Sequence, residues 1–298
     1  YLRYFVMKSN PWLLAIRPQT LFAGVAPVLI GSALAWSEQG FHLWSALAAL
    51  LGAVLIQIGT NFVNDYADFF KGADTEERLG PVRVTQAGLI SPQRMFRACL
   101  GIFLLTLLPG FYLVWRGGWF IVGIGVLSIL AGILYTAGPY PLGYLGLGDI
   151  FVLIFFGLVA VSGTYYVQTL TFSPVAFLAG ISPGLLAMAI LVVNNLRDIH
   201  TDQKAGKKTL AVRFGSQFVR WEYGFCIVLA SLIPLYLTLI TTKHGLIILA
   251  SLITLGMGLR LTYQVFHNEG ATLNPFLGQT GKLLFLYSLI FSVGWILS

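Results

Sequence analysis

Long apolar segments alternate with short polar stretches along almost the whole chain. Runs of about 20 apolar residues, the length that crosses a bilayer as a helix, recur from residue 15 to residue 297. The nine predicted spans are 15–36, 43–65, 95–115, 118–137, 148–168, 174–195, 219–240, 245–266 and 278–297. The pattern therefore predicts an all-α, polytopic membrane protein in which residues 1–298 form a single domain, a bundle of nine transmembrane helices.

Composition supports the membrane class. Hydrophobic residues make up 57% of the chain and charged residues only 10%, whereas a soluble domain carries about 25% charged residues. Cys99 and Cys226 both lie in apolar runs. We expect them to be buried rather than to form a disulfide or a metal site.

The basic residues are distributed unequally between the two ends of the predicted spans. Of the 18 Lys and Arg residues, only Arg116 and Lys243 fall on the side opposite the others. Because cytoplasmic loops carry the excess of Lys and Arg, we expect a cytoplasmic N-terminus and an external C-terminus in a bacterial inner membrane. The net charge of +7 then belongs to one face, where anionic lipid is the expected partner and no nucleic acid is expected.

Two polar segments interrupt the apolar pattern where the second and sixth spans reach the basic face. We call residues 61–74 the first motif and residues 194–208 the second motif. The first motif carries Asn61, Asn64, Asp65, Asp68 and Asp74, and the second carries Asn194, Asn195, Asp198 and Asp202. Residues three and four apart share a helix face, so each motif is predicted to present carboxylate and amide oxygens to one space. Carboxylates next to hydrocarbon are costly and indicate a functional site.

Clustered carboxylates repel one another unless a cation lies between them, and Mg²⁺ binds such oxygens together with substrate phosphates. We therefore predict Mg²⁺ as the cofactor, with Asp65, Asp68, Asp74, Asp198 and Asp202 as its ligands. The amide and basic residues nearby are predicted to bind a diphosphate substrate: Arg17, Asn61, Asn64, Lys71, Arg78, Arg83, Asn194, Asn195, Lys204, Lys207 and Lys208. The alternative is that the acids form only interfacial salt bridges and that the basic residues only set the topology.

The residues of both motifs resemble those of the UbiA superfamily of intramembrane prenyltransferases. The similarity lies in residues 64–74, 78–92 and 194–215, with shorter matches at 17–21, 135–141 and 148–151. Within the superfamily, these residues are most similar to the menaquinone-pathway branch, the 1,4-dihydroxy-2-naphthoate polyprenyltransferases. Many superfamily members carry a third acid in each motif. Here Gly72 and Gly206 occupy those positions, so Asp74 has the least support as a metal ligand.

The resemblance implies a nine-helix bundle around a central cavity that opens laterally toward lipid. It also implies that Mg²⁺ and the two motifs hold a polyprenyl diphosphate. The polyprenyl group would pass to 1,4-dihydroxy-2-naphthoate, with loss of diphosphate and carbon dioxide, giving demethylmenaquinone. Asp65 and Asp198 would act in catalysis through the metal, and Asp65, Asp149 and Tyr135 are candidates for activating the phenol. Prenyl chain length and oligomeric state are not specified by these residues.

Two other functions fit parts of the pattern. A prenyltransferase with another acceptor, such as 4-hydroxybenzoate, homogentisate or a porphyrin, would share the diphosphate half of the site. A cation-coupled transporter could also use carboxylates within a membrane. Transporter sites, however, lie near the bilayer midplane, whereas these acids lie at predicted helix ends that run into basic loops.

Overall fold

The computed structural model describes residues 10–72 and 78–298, and in these two ranges the regular elements are all helical. The helices are α1 (Pro11–Ile16), α2 (Pro18–Ser37), α3 (Leu43–Lys71), α4 (Pro92–Gly117), α5 (Trp119–Leu134), α6 (Gly148–Thr169), α7 (Pro174–Arg197), α8 (Ile199–Lys204), α9 (Leu210–Thr241), α10 (Ile248–His267) and α11 (Asn274–Leu297). Short 3₁₀ turns precede α10 and α11, at Gly245–Ile247 and Gly270–Leu273. The predicted all-α membrane class is confirmed.

Eight of the described helices are long and apolar enough to cross a membrane. They correspond to every predicted span except the fourth. In its place stands α5, which has 16 residues and is therefore about 24 Å long at 1.5 Å per residue, short of a hydrocarbon core of about 30 Å. The predicted count of nine membrane helices is therefore not confirmed in the described part of the chain.

Caps and prolines explain where several of these helices begin. Ser91, Ser173 and Thr209 each accept a hydrogen bond from a backbone N–H of the first turn of α4, α7 and α9, which satisfies a donor that has no partner within the helix. Pro92 and Pro174 follow two of these caps, at the position where proline costs no backbone hydrogen bond.

Helices α6 and α7 approach each other closely where α6 contains a π-helical turn, Ile154–Val159. A Cβ atom on Gly157 would lie 2.4 Å from the carbonyl oxygen of Gly180 and 2.8 Å from the Cα of Gly184. Only glycine fits there, as is common where membrane helices pack backbone to backbone. This contact fixes α6 against α7, which carries the second motif.

The buried residues form two hydrophobic clusters. The larger one lies among α2, α6, α7, α9, α10 and α11. The smaller one joins α3 and α4 to the loop between them and includes Phe62, Met95, Val84 and Ile90. Because Val84 is completely buried, the loop after the first motif is anchored in apolar packing as well as by polar contacts.

Three predicted boundaries differ from the structure. Helix α3 continues to Lys71, six residues beyond the predicted span, so both Asp65 and Asp68 lie within it. Helix α9 begins at Leu210, nine residues before the predicted span, and is interrupted at Gly215, where φ is 83°. Helix α7 ends at Arg197, and Asp198 has non-helical backbone angles. The second motif is therefore two helices joined at Asp198 rather than one continuous stripe, because α8 starts again at Ile199.

Candidate functional site

The two motifs meet at one end of the bundle, and they meet through loops. Gly80, in the loop after the first motif, lies so close to the second motif that a Cβ there would be 2.6 Å from Nη2 of Arg197. The side chain of Asn274, at the start of α11, donates a 2.8 Å hydrogen bond to the carbonyl oxygen of Leu79. The loop after the first motif therefore rests on the second motif and on α11.

Asp65 holds this loop. Its carboxylate oxygens accept hydrogen bonds from the backbone N–H groups of Val84, at 3.3 Å, and Thr85, at 3.0 Å. Asp65 is only 2% exposed, and Nη2 of Arg17 lies 4.0 Å from its Oδ2. We call residues 82–90 the lid segment. Because Asp65 fixes the two residues that follow Arg83, it also sets the position of the Arg83 backbone.

Asp68 is the centre of a second set of contacts. Its Oδ2 accepts a 3.0 Å hydrogen bond from Nη2 of Arg83, and its Oδ1 accepts one of 3.0 Å from the hydroxyl of Tyr144. Asp68 is 3% exposed. Burying a carboxylate to this extent is costly unless it is paired. Here the guanidinium of Arg83 forms an ion pair with it, and the phenol of Tyr144 donates a hydrogen bond.

The other first-motif residues hold neighbouring turns. The hydroxyl of Thr136 donates to Oδ1 of Asn64, and the ammonium of Lys71 donates to the carbonyl oxygen of Thr136 at 2.6 Å. Together they attach the turn after α5 to the end of α3. The amide of Asn61 donates to the carbonyl oxygen of Ile16 and to Oγ1 of Thr20, both at 2.9 Å.

Arg17 occupies the break between α1 and α2 that Asn61 stabilises. Its φ of 54° is in the left-handed region, which is uncommon for a residue with a side chain. The Asn61 contacts lie on both sides of this residue in sequence. Asn61 thus supports the corner that carries Arg17, while Arg17 itself lies beside Asp65.

In the second motif, Arg197 is the organising residue. It is 1% exposed, and its Nε and Nη2 bind the two oxygens of Asp198 at 2.8 and 2.5 Å. Its Nη2 also donates to Oδ1 of Asn194 at 2.9 Å, and its Nη1 to Oδ1 of Asn274 at 3.0 Å. A bidentate contact of this kind is strong and directional. It fixes Asp198 at the junction between α7 and α8.

Asp202, on α8, is paired with Lys207, whose Nζ lies 3.1 Å from Oδ1 of Asp202. Burial raises the pKa of Asp202, Lys207 opposes that shift, and the nearby carboxylates of Asp198 and Asp68 add to it. Asp68 belongs to the first motif, so its effect on the pKa of Asp202 indicates that carboxylates of the two motifs lie close enough to repel one another. The lysine contact keeps the carboxylate in place.

Tyr135 and Asp149 lie beside these carboxylates. A Cβ on Gly148 would be 3.0 Å from the hydroxyl oxygen of Tyr135, so the ring of Tyr135 lies against the start of α6. Burial raises the pKa of Tyr135, and the charges of Asp149, Asp202 and Asp68 raise it further. At neutral pH the phenol is therefore a hydrogen-bond donor rather than a base.

The remaining predicted residues are distributed around the site. Asp149 is 2% exposed, and its Oδ1 has no hydrogen-bond partner within the described ranges. The side chain of Arg78 donates to the carbonyl oxygen of Pro81 at 3.1 Å. Asn195 is buried on α7, and the backbone N–H of Lys208 donates to the carbonyl oxygen of Tyr144. Lys204 is exposed at the end of α8, and Asp74 lies outside the described residues.

Comparison with protein families identifies the chain. Residues 24–296 match the family described as "UbiA prenyltransferase family". The chain belongs to the UbiA prenyltransferase family. Among curated proteins, it is 39% identical to the 1,4-dihydroxy-2-naphthoate octaprenyltransferase of Escherichia coli (strain K12), over 98% of this chain and 97% of that protein. The protein of the same name from Mycobacterium tuberculosis is 36% identical, over 93% and 94%.

Solved structures support the same fold. A UbiA homolog from Archaeoglobus fulgidus, solved bound to DMAPP and Mg²⁺, superposes with a TM-score of 0.66 over 95% of this chain and 100% of that one, at 18% identity. A UbiA homolog from Aeropyrum pernix K1, in its apo form, gives a TM-score of 0.67 over 97% of this chain and 98% of that one, at 14% identity. The arrangement of helices is therefore the UbiA fold.

Three residues of this UbiA site were not predicted from the sequence: Tyr144, Arg197 and Asn274. Arg197 directly precedes Asp198, and that adjacency was an available signal. Asn274 is 77 residues from Arg197, and Tyr144 is 76 residues from Asp68. Nothing local in the sequence indicates either contact.

The donor atoms of this UbiA site suit Mg²⁺. In the described ranges, no group of three or more Asp, Glu, His and Cys side chains could hold a metal ion by themselves. Mg²⁺, however, keeps several waters and needs only one or two carboxylates in addition to substrate phosphates. Asp68 and Asp202 provide such carboxylates, each next to a cationic side chain. The residues therefore fit a metal that arrives with a diphosphate.

Proposed function

We infer that this protein transfers a polyprenyl group from polyprenyl diphosphate to 1,4-dihydroxy-2-naphthoate in menaquinone biosynthesis. The observation that carries the proposal is the convergence of both motifs, where Asp68 and Asp202 are linked through Tyr144 and Lys207. The curated relatives of that name, which match the chain over nearly its full length, support this acceptor. The test below distinguishes this function from prenyl transfer to another aromatic acceptor and from cation-coupled transport.

The donor half of the reaction depends on charge. The diphosphate would lie among Arg83, Lys71 and Lys207, with the other predicted basic and amide residues around it. Asp68 and Asp202 are the proposed principal metal ligands, and Asp65, Asp198 and Asp74 remain proposed ligands, directly or through water. When bound, Mg²⁺ would neutralise part of the diphosphate charge and stabilise it as a leaving group. Arg83 is already directed at Asp68, so the donor would enter a site whose cations are in place.

The acceptor half makes one carbon–carbon bond. The C1–O bond of the donor breaks and its electron pair leaves with the diphosphate. The ring carbon that bears the carboxylate then attacks C1, and the carboxylate leaves as carbon dioxide while its bonding electrons restore the aromatic ring, so no net proton is released. Tyr135, a neutral phenol at neutral pH, would donate a hydrogen bond here, and Asp149 is the proposed acceptor of a phenol proton during the attack, which it would return to the product. The product is the quinol form of demethylmenaquinone.

The bundle supplies an apolar environment for the prenyl tail. A dry site also prevents water from capturing an allylic cation. The integral-membrane class follows from eight apolar helices and the family. A bacterial inner membrane, with the basic site face toward the cytoplasm, is part of the proposal.

Incubation of purified protein with labelled polyprenyl diphosphate, Mg²⁺ and each candidate acceptor tests the function. We expect a prenylated, decarboxylated product from 1,4-dihydroxy-2-naphthoate only, and no product after chelation of the metal. Formation of product from 4-hydroxybenzoate, homogentisate or a porphyrin instead would overturn the acceptor assignment. Ion flux into liposomes without diphosphate release would favour transport.

Two variants test the metal assignment. Asp68→Asn and Asp202→Asn preserve side-chain volume and remove one charge each, so we expect turnover to fall by about 100-fold or more with the protein still folded in detergent. Tyr140→Phe is a suitable control, because Tyr140 is 76% exposed. Normal turnover in both aspartate variants would contradict the assignment.

A further inference from the structure

Tyr144 occupies a position that connects the two motifs of the site. It lies in the connection between α5 and α6, and neither motif contains it. Its hydroxyl donates to Oδ1 of Asp68 at 3.0 Å. The Nζ atoms of Lys71 and Lys207 lie over its ring, 4.5 and 5.1 Å from the ring centre. One aromatic side chain thus contacts a carboxylate and a lysine of the first motif and a lysine of the second.

The backbone of Tyr144 is held from two sides. Its N–H donates to the carbonyl oxygen of Pro141 at 3.0 Å, within the turn after α5. Its carbonyl oxygen accepts a 2.8 Å hydrogen bond from the backbone N–H of Lys208, in the linker between α8 and α9. Arg213 strengthens the same junction, because its guanidinium donates to the carbonyl oxygens of Leu145 and Lys208 at 2.8 and 2.9 Å. The backbone position from which the Tyr144 ring projects is therefore fixed.

The two lysines have further partners that fix where their ammonium groups lie. Lys71 donates to the carbonyl oxygen of Thr136 at 2.6 Å, and Lys207 pairs with Asp202 at 3.1 Å. An ammonium over an aromatic face is stabilised by the ring quadrupole, and this attraction does not use up its N–H donors. Each ammonium can therefore stay at the ring and still donate to an incoming anion.

We propose that Tyr144 is a positioning residue that holds Lys71 and Lys207 on one ring, next to Asp68, as a preformed cradle for the diphosphate of the donor. The cradle combines one cation from each motif with a carboxylate that the proposed function assigns to the metal. A diphosphate has two phosphoryl groups, so two fixed ammonium groups suit it. This inference rests on the proposed function for the identity of the donor, but its test uses inorganic pyrophosphate.

The ring and the hydroxyl have separable roles. Tyr144→Phe keeps the ring beneath the ammonium groups and removes the hydroxyl that donates to Asp68. Tyr144→Leu removes the ring as well. Loss of two cation–π contacts should weaken binding by about tenfold. We expect this loss of pyrophosphate affinity in Tyr144→Leu, and near-normal affinity in Tyr144→Phe.

The measurement is isothermal titration of inorganic pyrophosphate, with Mg²⁺ present, into the purified protein in detergent. Tyr140→Leu is the matched control, because Tyr140 lies in the same connection and is 76% exposed. In turnover assays, Tyr144→Leu should raise KM for the polyprenyl diphosphate and leave KM for the naphthoate unchanged. A purely structural role would change both constants, or kcat, without rescue by phenylalanine.

A double-mutant cycle tests the contact between the ring and Lys207, with Tyr144→Met taking the place of Tyr144→Leu if the leucine variant folds poorly. Lys207→Met weakens the cradle directly, and the ring contact predicts that the effects of Lys207→Met and Tyr144→Leu on pyrophosphate affinity are less than additive. Additive effects, or Tyr144→Leu binding pyrophosphate as tightly as Tyr140→Leu does, would overturn the inference. Failure of wild-type protein to prenylate the naphthoate while binding pyrophosphate would overturn the proposed function and leave the cradle standing.

Discussion

Replacing Asp65 by asparagine should release the lid segment while leaving the bundle intact. Asp65 accepts two backbone N–H groups, from Val84 and Thr85, in a buried position. Asparagine has nearly the same volume, but it has one acceptor oxygen and no charge. At least one of the two N–H groups must therefore lose its carboxylate partner. The lid segment would then be retained mainly by the apolar packing of Val84 and Ile90.

The size of the effect follows from the type of hydrogen bond that is lost. A hydrogen bond to a charged group contributes about 1.5–3 kcal/mol, and 2 kcal/mol corresponds to a change of roughly 30-fold in an equilibrium. Amide exchange of the lid segment tracks the free energy of local opening. Exchange in peptides covering residues 82–90 should therefore accelerate by roughly 30-fold.

Hydrogen–deuterium exchange, read by mass spectrometry in detergent without Mg²⁺ or diphosphate, measures this directly. Asp149→Asn is the matched control, because Asp149 is a carboxylate that is also 2% exposed and makes no hydrogen bond to the lid segment among the described contacts. If exchange in 82–90 changes by less than about threefold in Asp65→Asn, Asp65 does not hold the lid. Equal acceleration in both variants would point to general loosening instead.

Two further outcomes can be measured. Gly80→Ala should displace the Arg197 guanidinium, because its Cβ would lie 2.6 Å from Nη2. Turnover should fall at least tenfold through loss of the Asp198 geometry, whereas Gly101→Ala, on α4 with no neighbour within 4 Å, should leave turnover unchanged. For orientation, a membrane-impermeant maleimide added to intact spheroplasts should label Lys243→Cys and spare Gln203→Cys; the reverse pattern would invert the proposed topology. Both native cysteines are buried, so background labelling should be low.

Much of the fold could be predicted from the sequence because a membrane imposes a length on each apolar run. Every predicted span except 118–137 is present as a helix long enough to cross. The boundaries were less predictable. Helix α3 carries Asp65 and Asp68 inside its last turns, since hydropathy falls at the first polar residue while backbone hydrogen bonding continues.

The pairing of the site residues was not predictable, because it depends on contacts between distant segments. Helix spacing correctly placed Asp65 and Asp68 near one another, but it could not reveal that one binds the lid backbone and the other binds Tyr144. Similarly, the step of four from Asn194 to Asp198 predicted that an amide oxygen and a carboxylate face one space. In the structure both accept hydrogen bonds from Arg197. This residue lies between them in the sequence and is the last residue of α7.

The pairing of the carboxylates has a consequence for how a donor binds. Asp68, Asp198 and Asp202 each contact a cationic side chain. A buried charge that loses its partner costs several kcal/mol, so neither a free metal ion nor a free diphosphate can exchange those partners cheaply. A metal and a diphosphate that arrive together would meet this cost, because the carboxylates would bind the metal while Arg83 and the two lysines, still held at the Tyr144 ring, would donate to the phosphates. The arrangement therefore favours joint binding of the metal and the diphosphate. Before the donor binds, the ion pairs neutralise the buried acidic and basic groups at the membrane face.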